Sequence, residues 1–216
     1  LELQATGIEL DLQKTKDGRI VIFHDKNIDK HSNGTGKISD YTYNELLDLD
    51  FGSWYDKRYR NEKIVLFEDF AKEFFPKKLT FAIELKQEGI EKETLEIIKK
   101  YATHDNIYIT SFEYKVLEDM RKIDSNIKLS WLIEEKINED NIDKILKING
   151  TQICPKAEET TKSDIELANK NGLRVRLWGI FNENIMRQVY KLDIDGMTVN
   201  FPDKLKELME ENTNGW

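Results

Sequence analysis

Glu9 and Asp11 stand two residues apart in the run Gly7-Ile8-Glu9-Leu10-Asp11-Leu12, so on an extended chain both carboxylates leave one face while Ile8, Leu10 and Leu12 leave the other. Carboxylates are the preferred ligands of hard cations such as Mg²⁺ and Ca²⁺. The segment continues through Thr15-Lys16-Asp17-Gly18 into Arg19-Ile20-Val21-Ile22-Phe23-His24-Asp25. Asp-Gly is a strong hairpin signal because Gly accepts the positive φ such a turn requires. With the turn centred near Lys16 and Asp17, antiparallel pairing sets His24 opposite Glu9 and brings an imidazole, the commonest acid/base group near neutral pH, to the two carboxylates. A half-exposed strand also carries acids on its wet face without any function. Apolar residues on both arms argue against that reading here, since an acidic pair kept from water needs a cation or a proton.

The run Phe81-Ala82-Ile83-Glu84-Leu85-Lys86 repeats the pattern, with Glu84 and Lys86 on one face. Brought to a common mouth, Glu84 completes a three-carboxylate cage for one divalent ion, and Lys86 beside it helps to hold a phosphate. The alternative is a solvated ion pair of little consequence. Ile83 and Leu85, which mark a buried strand, disfavour it.

These residues must be positioned by the elements around them. After the hairpin come a polar segment over 29–36, a short helix over 43–49 and an irregular aromatic run, Asp50-Phe51-Gly52-Ser53-Trp54-Tyr55. Beyond it, strand-like runs at 79–86, 106–111, 127–133, 151–154, 173–178 and 196–200 alternate with helical patterns at 90–101, 113–123, 137–148, 158–171 and 183–191. A last helix follows Pro202, and Asn171-Gly172 reads as a helix C-cap. Strand and helix in alternation mean parallel βα units. With the first strand there are seven, which suits an open doubly wound sheet, or a closed TIM-type (β/α)8 barrel if one strand precedes the chain. The barrel is favoured because Glu9, Asp11, Glu84, Lys86, Ser111 and Trp178 all fall at the C-terminal ends of their strands, where a barrel mouth is built.

Composition narrows the function classes. At 216 residues, 39% hydrophobic and 34% charged, the chain suits a single globular α/β domain, and no apolar run is long enough for a transmembrane helix. A net charge of −8 speaks against nucleic-acid binding but not against a small anionic substrate, because a divalent metal inverts the local field. The single Cys154 rules out an internal disulfide and a cysteine-based zinc site, and reads as a small buried hydrophobe. The chain opens on Leu1 inside what reads as a helix tail over 1–5, which suggests that a front end, with any signal peptide, lies upstream. The compartment is therefore not readable, a cytoplasmic one being favoured over a secreted one. An incomplete barrel exposes strand edges beginning at 8–12, so association into a homodimer is an expectation.

Glu9-Leu10-Asp11-Leu12, Thr15-Lys16-Asp17-Gly18, His24-Asp25, Asp50-Phe51-Gly52-Ser53-Trp54, Glu84-Leu85-Lys86, Ser111-Phe112 and Trp178 together resemble, in order and spacing along the whole chain, the glycerophosphodiester phosphodiesterases. The resemblance implies a single TIM-type barrel domain over 1–216, with a small cap inserted over 19–62. It implies one Mg²⁺ or Ca²⁺ on Glu9, Asp11 and Glu84, His24 as one of two catalytic histidines, and Lys86 and Trp178 in the substrate pocket. Phe112 would join Trp178 as an apolar wall for glycerol carbons, ordinary barrel packing being the alternative for both. The family's first strand carries a His-Arg pair and a Pro-Glu-Asn-Thr motif that this chain does not contain, and His31 and His104 read as surface residues that do not replace the second histidine. Asn200 stands where the family usually shows Asp. The activity implied is metal-dependent hydrolysis of glycerophosphodiesters to glycerol 3-phosphate and an alcohol, in lipid and glycerol metabolism, with the 216-residue piece alone weak or inactive. A non-catalytic member that binds a phosphodiester or polyol is the second reading. A metal-dependent sugar isomerase is the third and weakest, since Ile153-Cys154-Pro155 and Leu177-Trp178-Gly179 offer no further ligands.

Overall fold

The computed structural model describes Leu3 and residues 5–213, so the expected helix tail over 1–5 lies largely outside the described residues. The Glu9/Asp11 segment is strand β1 (Gly7–Lys14), and the hairpin returns as β2 (Ile20–Ile22). Thr15 N donates to Arg19 O (2.9 Å) and Gly18 N to Thr15 O (3.0 Å), with Gly18 at φ +82° in the left-handed region that glycine occupies without strain. This turn pairs Leu12 with Ile22 and Lys14 with Ile20, so it is centred on Asp17, and the expected register is one residue out. Continued, that ladder sets His24 opposite Leu10, whose side chain faces away from the acids. The ladder stops instead: its last bond is Phe23 N to Asp11 O (2.9 Å), and His24 follows as the chain leaves the sheet.

The excursion includes helix α1 (Tyr43–Leu47), whose N-cap Thr42 accepts from Glu45 N, and returns through β3 (Val65–Leu66), antiparallel to β2. Val21, Ile28, Ile38, Leu46, Ile64 and Leu66 form a second, smaller core, with Phe23, Tyr41, Tyr43, Leu49 and Phe51 packed on it. Gly52 is required there, because a Cβ would lie 1.8 Å from the Tyr59 carbonyl oxygen. Helix α2 (Phe67–Phe74) begins where β3 ends. No sequence expectation covered it, although Phe67, Phe70, Ala71 and Phe74 carry helical spacing. Phe70 stacks on Phe74 at 4.6 Å and meets Phe81 edge-on at 6.1 Å.

The alternation follows as expected: β4 (Thr80–Leu85), α3 (Glu91–Tyr101), β5 (Ile107–Ser111), α4 (Tyr114–Ile123), β6 (Lys128–Ile133), α5 (Glu139–Lys147), β7 (Gln152–Pro155), α6 (Lys162–Lys170), β8 (Arg174–Ile180), α7 (Glu183–Val189), β9 (Gly196–Val199) and α8 (Pro202–Thr213). Local chemistry sets several boundaries. Asn138, Thr161 and Asn182 cap α5, α6 and α7 by accepting from the backbone N–H three residues on. Helix α6 ends in a Schellman turn, Gly172 N to Asn169 O (2.9 Å) and Leu173 N to Ala168 O (3.1 Å), with Gly172 at φ +75°.

The sheet has nine strands in the order β3-β2-β1-β4-β5-β6-β7-β8-β9, and β1 and β4 to β9 are mutually parallel. It curls into a (β/α) barrel. Among the described residues β9 and β1 are not hydrogen-bonded neighbours. One row of side chains, with Phe81, Ile83, Ile109, Leu129, Ile153, Val175 and Leu177, packs against the helices and is fully buried. The alternate row, with Glu9, Asp11, Glu84, Thr110, Ser130, Gln152 and Arg176, faces inward and is polar. Among the described residues no helix is long and apolar enough to cross a membrane.

Replacing Gly52 by Ala forces the Tyr59 carbonyl away and is expected to destabilise the chain by about 2 kcal/mol. Urea unfolding measures this, and an unchanged midpoint would show that residues 52 and 59 do not approach as described.

Candidate active site

Strands β1 and β4 pair in parallel with Asp11 directly opposite Glu84, and opposed residues share a face. Glu9, two residues earlier on β1, shares that face. Glu9, Asp11 and Glu84 each offer an oxygen within 4.8 Å of the others'. Asp11 and Glu84 are only 8% and 6% exposed, so the pair is held out of water. Lys86 follows immediately after β4 and prolongs the ladder by donating its N–H to Leu12 O (3.2 Å). Its ammonium spans the two acids, 2.9 Å from Asp11 Oδ1 and 2.7 Å from Glu84 Oε1. The Glu84/Lys86 pair is therefore a buried bridge rather than a solvated one.

The charges explain one another. Burial, then the charges of Asp11 and Glu84, push the Glu9 carboxyl up to about 8. Burial also raises Glu84, against the pull of Lys86. Burial works to lower Lys86, but Asp11 and Glu84 outweigh it and hold the ammonium above its usual range. Arg176 on β8 supplies a second cation, which works to keep Glu9 ionised. Its Nη1 donates to Thr198 Oγ1 (2.5 Å) and its Nε to Gln152 Oε1 (3.4 Å), while Nη2 is buried with no hydrogen-bond partner among the described residues. Ser130 Oγ donates to the same Gln152 oxygen (2.5 Å) and lies 3.1 Å from Cys154 Sγ. Cys154 is buried as expected, but within this polar inner row. Arg176 was legible as the residue two before Trp178 on one strand, and sequence reasoning passed over it.

His24 is not among the groups in the acidic cluster. It projects where the chain leaves β2, its side chain 73% exposed, with Nδ1 2.7 Å from Asp25 Oδ1. The hydrogen bond from His24, then the charge of His31, hold Asp25 below the usual carboxylate range. His31 is partly exposed, in keeping with a surface residue, with its Nδ1 3.2 Å from Asp25 Oδ2 and its ring edge-on to Trp54 at 4.2 Å. His104 begins a single turn, His104–Asn106, before β5. At the ends of β5 and β8, Phe112 and Trp178 meet edge-on at 4.9 Å, and Trp178 Nε1 donates to Ile133 O (3.1 Å). Glu9, Asp11 and Glu84 together form an all-oxygen donor set suited to a hard cation, with Lys86 and Arg176 as neighbouring cations.

Residues 1–204 match the model of the glycerophosphoryl diester phosphodiesterase family. A glycerophosphodiester phosphodiesterase of Caldanaerobacter subterraneus subsp. tengcongensis is 28% identical over 98% of this chain and 88% of its own length. One of Bacillus altitudinis is 29% identical over 96% and 87%. The fold is similar to that of an Oleispira antarctica phosphodiesterase solved with its product sn-glycerol-3-phosphate, with a TM-score of 0.88 at 22% identity over 97% of this chain and 87% of that one.

The raised Glu9 gives a pH dependence of stability. The folded metal-free chain keeps a proton on Glu9 that the unfolded chain has released, so this contribution is fully present below the ordinary 4.5 and is lost as pH rises toward about 8. Glu9→Gln is expected to flatten the fall of the thermal midpoint between pH 5 and 8 in chelator-treated protein. A wild-type slope in the variant would contradict a half-buried, uncompensated Glu9.

Proposed function

The chain belongs to the glycerophosphoryl diester phosphodiesterase family, and from that premise we propose how its own residues carry the hydrolysis of glycerophosphodiesters to glycerol 3-phosphate and an alcohol. The observation that carries the reading is the convergence of Glu9, Asp11 and Glu84, from two neighbouring parallel strands, on one small space. The donor set fits one divalent cation, Mg²⁺ or Ca²⁺: it is all carboxylate, and its three oxygens lie within 4.8 Å of one another where burial and mutual repulsion push the Glu9 carboxyl up. When bound, such an ion neutralises charge on the phosphate and lowers the pKa of a coordinated water.

The remaining work belongs to the protein. Lys86, which spans Asp11 and Glu84 when no ion separates them, supplies an ammonium beside the anionic phosphate. With Nδ1 engaged by Asp25, His24 has Nε2 free to give a proton to the departing alkoxide, a role worth about 10²–10⁴ in rate. Trp178 and Phe112, crossed at 4.9 Å, wall the glycerol carbons on the opposite side. Residues 1–216 act as one barrel domain, with 19–62 as the cap over its mouth. The separate core around Ile28, Ile38 and Leu46, and the place of His24 where the chain enters it, support that reading.

In the full-length protein, Glu84→Gln is expected to abolish both cation binding, read by calorimetry, and turnover of glycerophosphocholine; unaltered turnover would refute the cage. His24→Ala is expected to leave cation affinity nearly unchanged and to reduce kcat by the general-acid factor, about 10²–10⁴. Loss of the cation instead would make His24 a ligand.

A further inference from the structure

We propose that Gln13 is a positioning residue that fixes His24 over the barrel mouth; this rests on the catalytic reading of His24. Gln13 continues the Glu9 and Asp11 face of β1 by one more alternation and is only 8% exposed. Its single side-chain nitrogen donates to Phe23 O (2.9 Å) and to Asp25 O (2.8 Å), the carbonyls on either side of His24. A primary amide has two N–H groups, and both are used here. The grip falls where the backbone ladder has ended. The last β1 bond to this arm is Phe23 N to Asp11 O, and beyond it the hydrogen bonds described between β1 and residues 24–25 come from Gln13 alone. The strand that carries two of the acids thus also holds the arm that carries the proton donor.

The ring is fixed separately. Asp25 Oδ1 takes His24 Nδ1, and Asp25 Oδ2 lies 3.2 Å from His31 Nδ1, with His31 set against Trp54. Asp25 settles which way the imidazole faces, and Gln13 settles where its backbone stands. Misplacement of a reacting group by about 1 Å can cost about 10² in rate, so the clamp matters to turnover while leaving the acidic cage alone.

The test is steady-state hydrolysis of glycerophosphocholine by Gln13→Met, which keeps length and loses both donors, beside His24→Ala and the double variant. Gln13→Met is expected to lower kcat about ten- to hundredfold, with KM and cation affinity unchanged, and to add nothing in the His24→Ala background. A native kcat in Gln13→Met, a loss confined to KM, or a further loss on top of His24→Ala would overturn the clamp. A native kcat in His24→Ala would remove the catalytic reading of His24 and the clamp with it. The unmodified protein gives an independent readout by NMR. The Gln13 side-chain amide protons are expected to exchange with solvent far more slowly than those of exposed Gln188, and equal rates would overturn the proposal even if the variant fails to fold.

Discussion

Asp11 and Glu84 face each other because β1 and β4 pair in parallel, with Leu10 against Ile83 and Leu12 against Leu85 on the helix side of the sheet. The hydrophobic effect enforces this register. A slip of one residue would turn the buried leucines and isoleucines inward and the acids into the helix layer. Core packing therefore pays the electrostatic cost of holding carboxylates together where water is scarce. Lys86 and Arg176 offset part of that cost, while burial and the charges of Asp11 and Glu84 still push the Glu9 carboxyl up. A divalent ion held by these three carboxylates would supply the missing positive charge.

The polar inner row extends this logic around the barrel. Gln152 accepts from Ser130 and Arg176, and Thr198 accepts from Arg176, so strands β6 to β9 are tied together on their inner face by side-chain hydrogen bonds as well as by backbone ladders. That network holds the Arg176 guanidinium on the inner face, where its charge favours the ionised form of Glu9, while its Nη2 has no hydrogen-bond partner among the described residues. The hairpin arm follows a different rule. It leaves the sheet at Phe23 and is carried by side chains, Gln13 and Asp25 above all, into a region with its own small core.

Much of this was legible without coordinates, for reasons tied to period. Alternation of two locates Glu9 with Asp11 and Glu84 with Lys86, and repeated βα units bring their strands to one sheet. The hairpin register was not legible to within a residue, because Asp-Gly marks a turn without stating how many residues it spans; the turn closes between Thr15 and Arg19, one residue beyond the simplest loop. Helix α2 was obscured because it follows a two-residue strand with no linker to mark its start. His31 is the loop residue its sequence suggests, but its contacts with Asp25 and Trp54 were not legible, because they form only through the fold of the region between β2 and β3. Gln13 and Arg176 were within reach of the same alternation, one step after Asp11 on β1 and one step before Trp178 on β8.

The most direct test of the account is a crystal of the protein soaked with Mn²⁺ as a stand-in for the divalent ion, with data collected for anomalous scattering. The account predicts a single strong peak within coordination distance of one oxygen each from Glu9, Asp11 and Glu84, with the Lys86 ammonium moved out of the space it bridges. A peak elsewhere on the surface, or no peak with Lys86 still spanning Asp11 and Glu84, would contradict it.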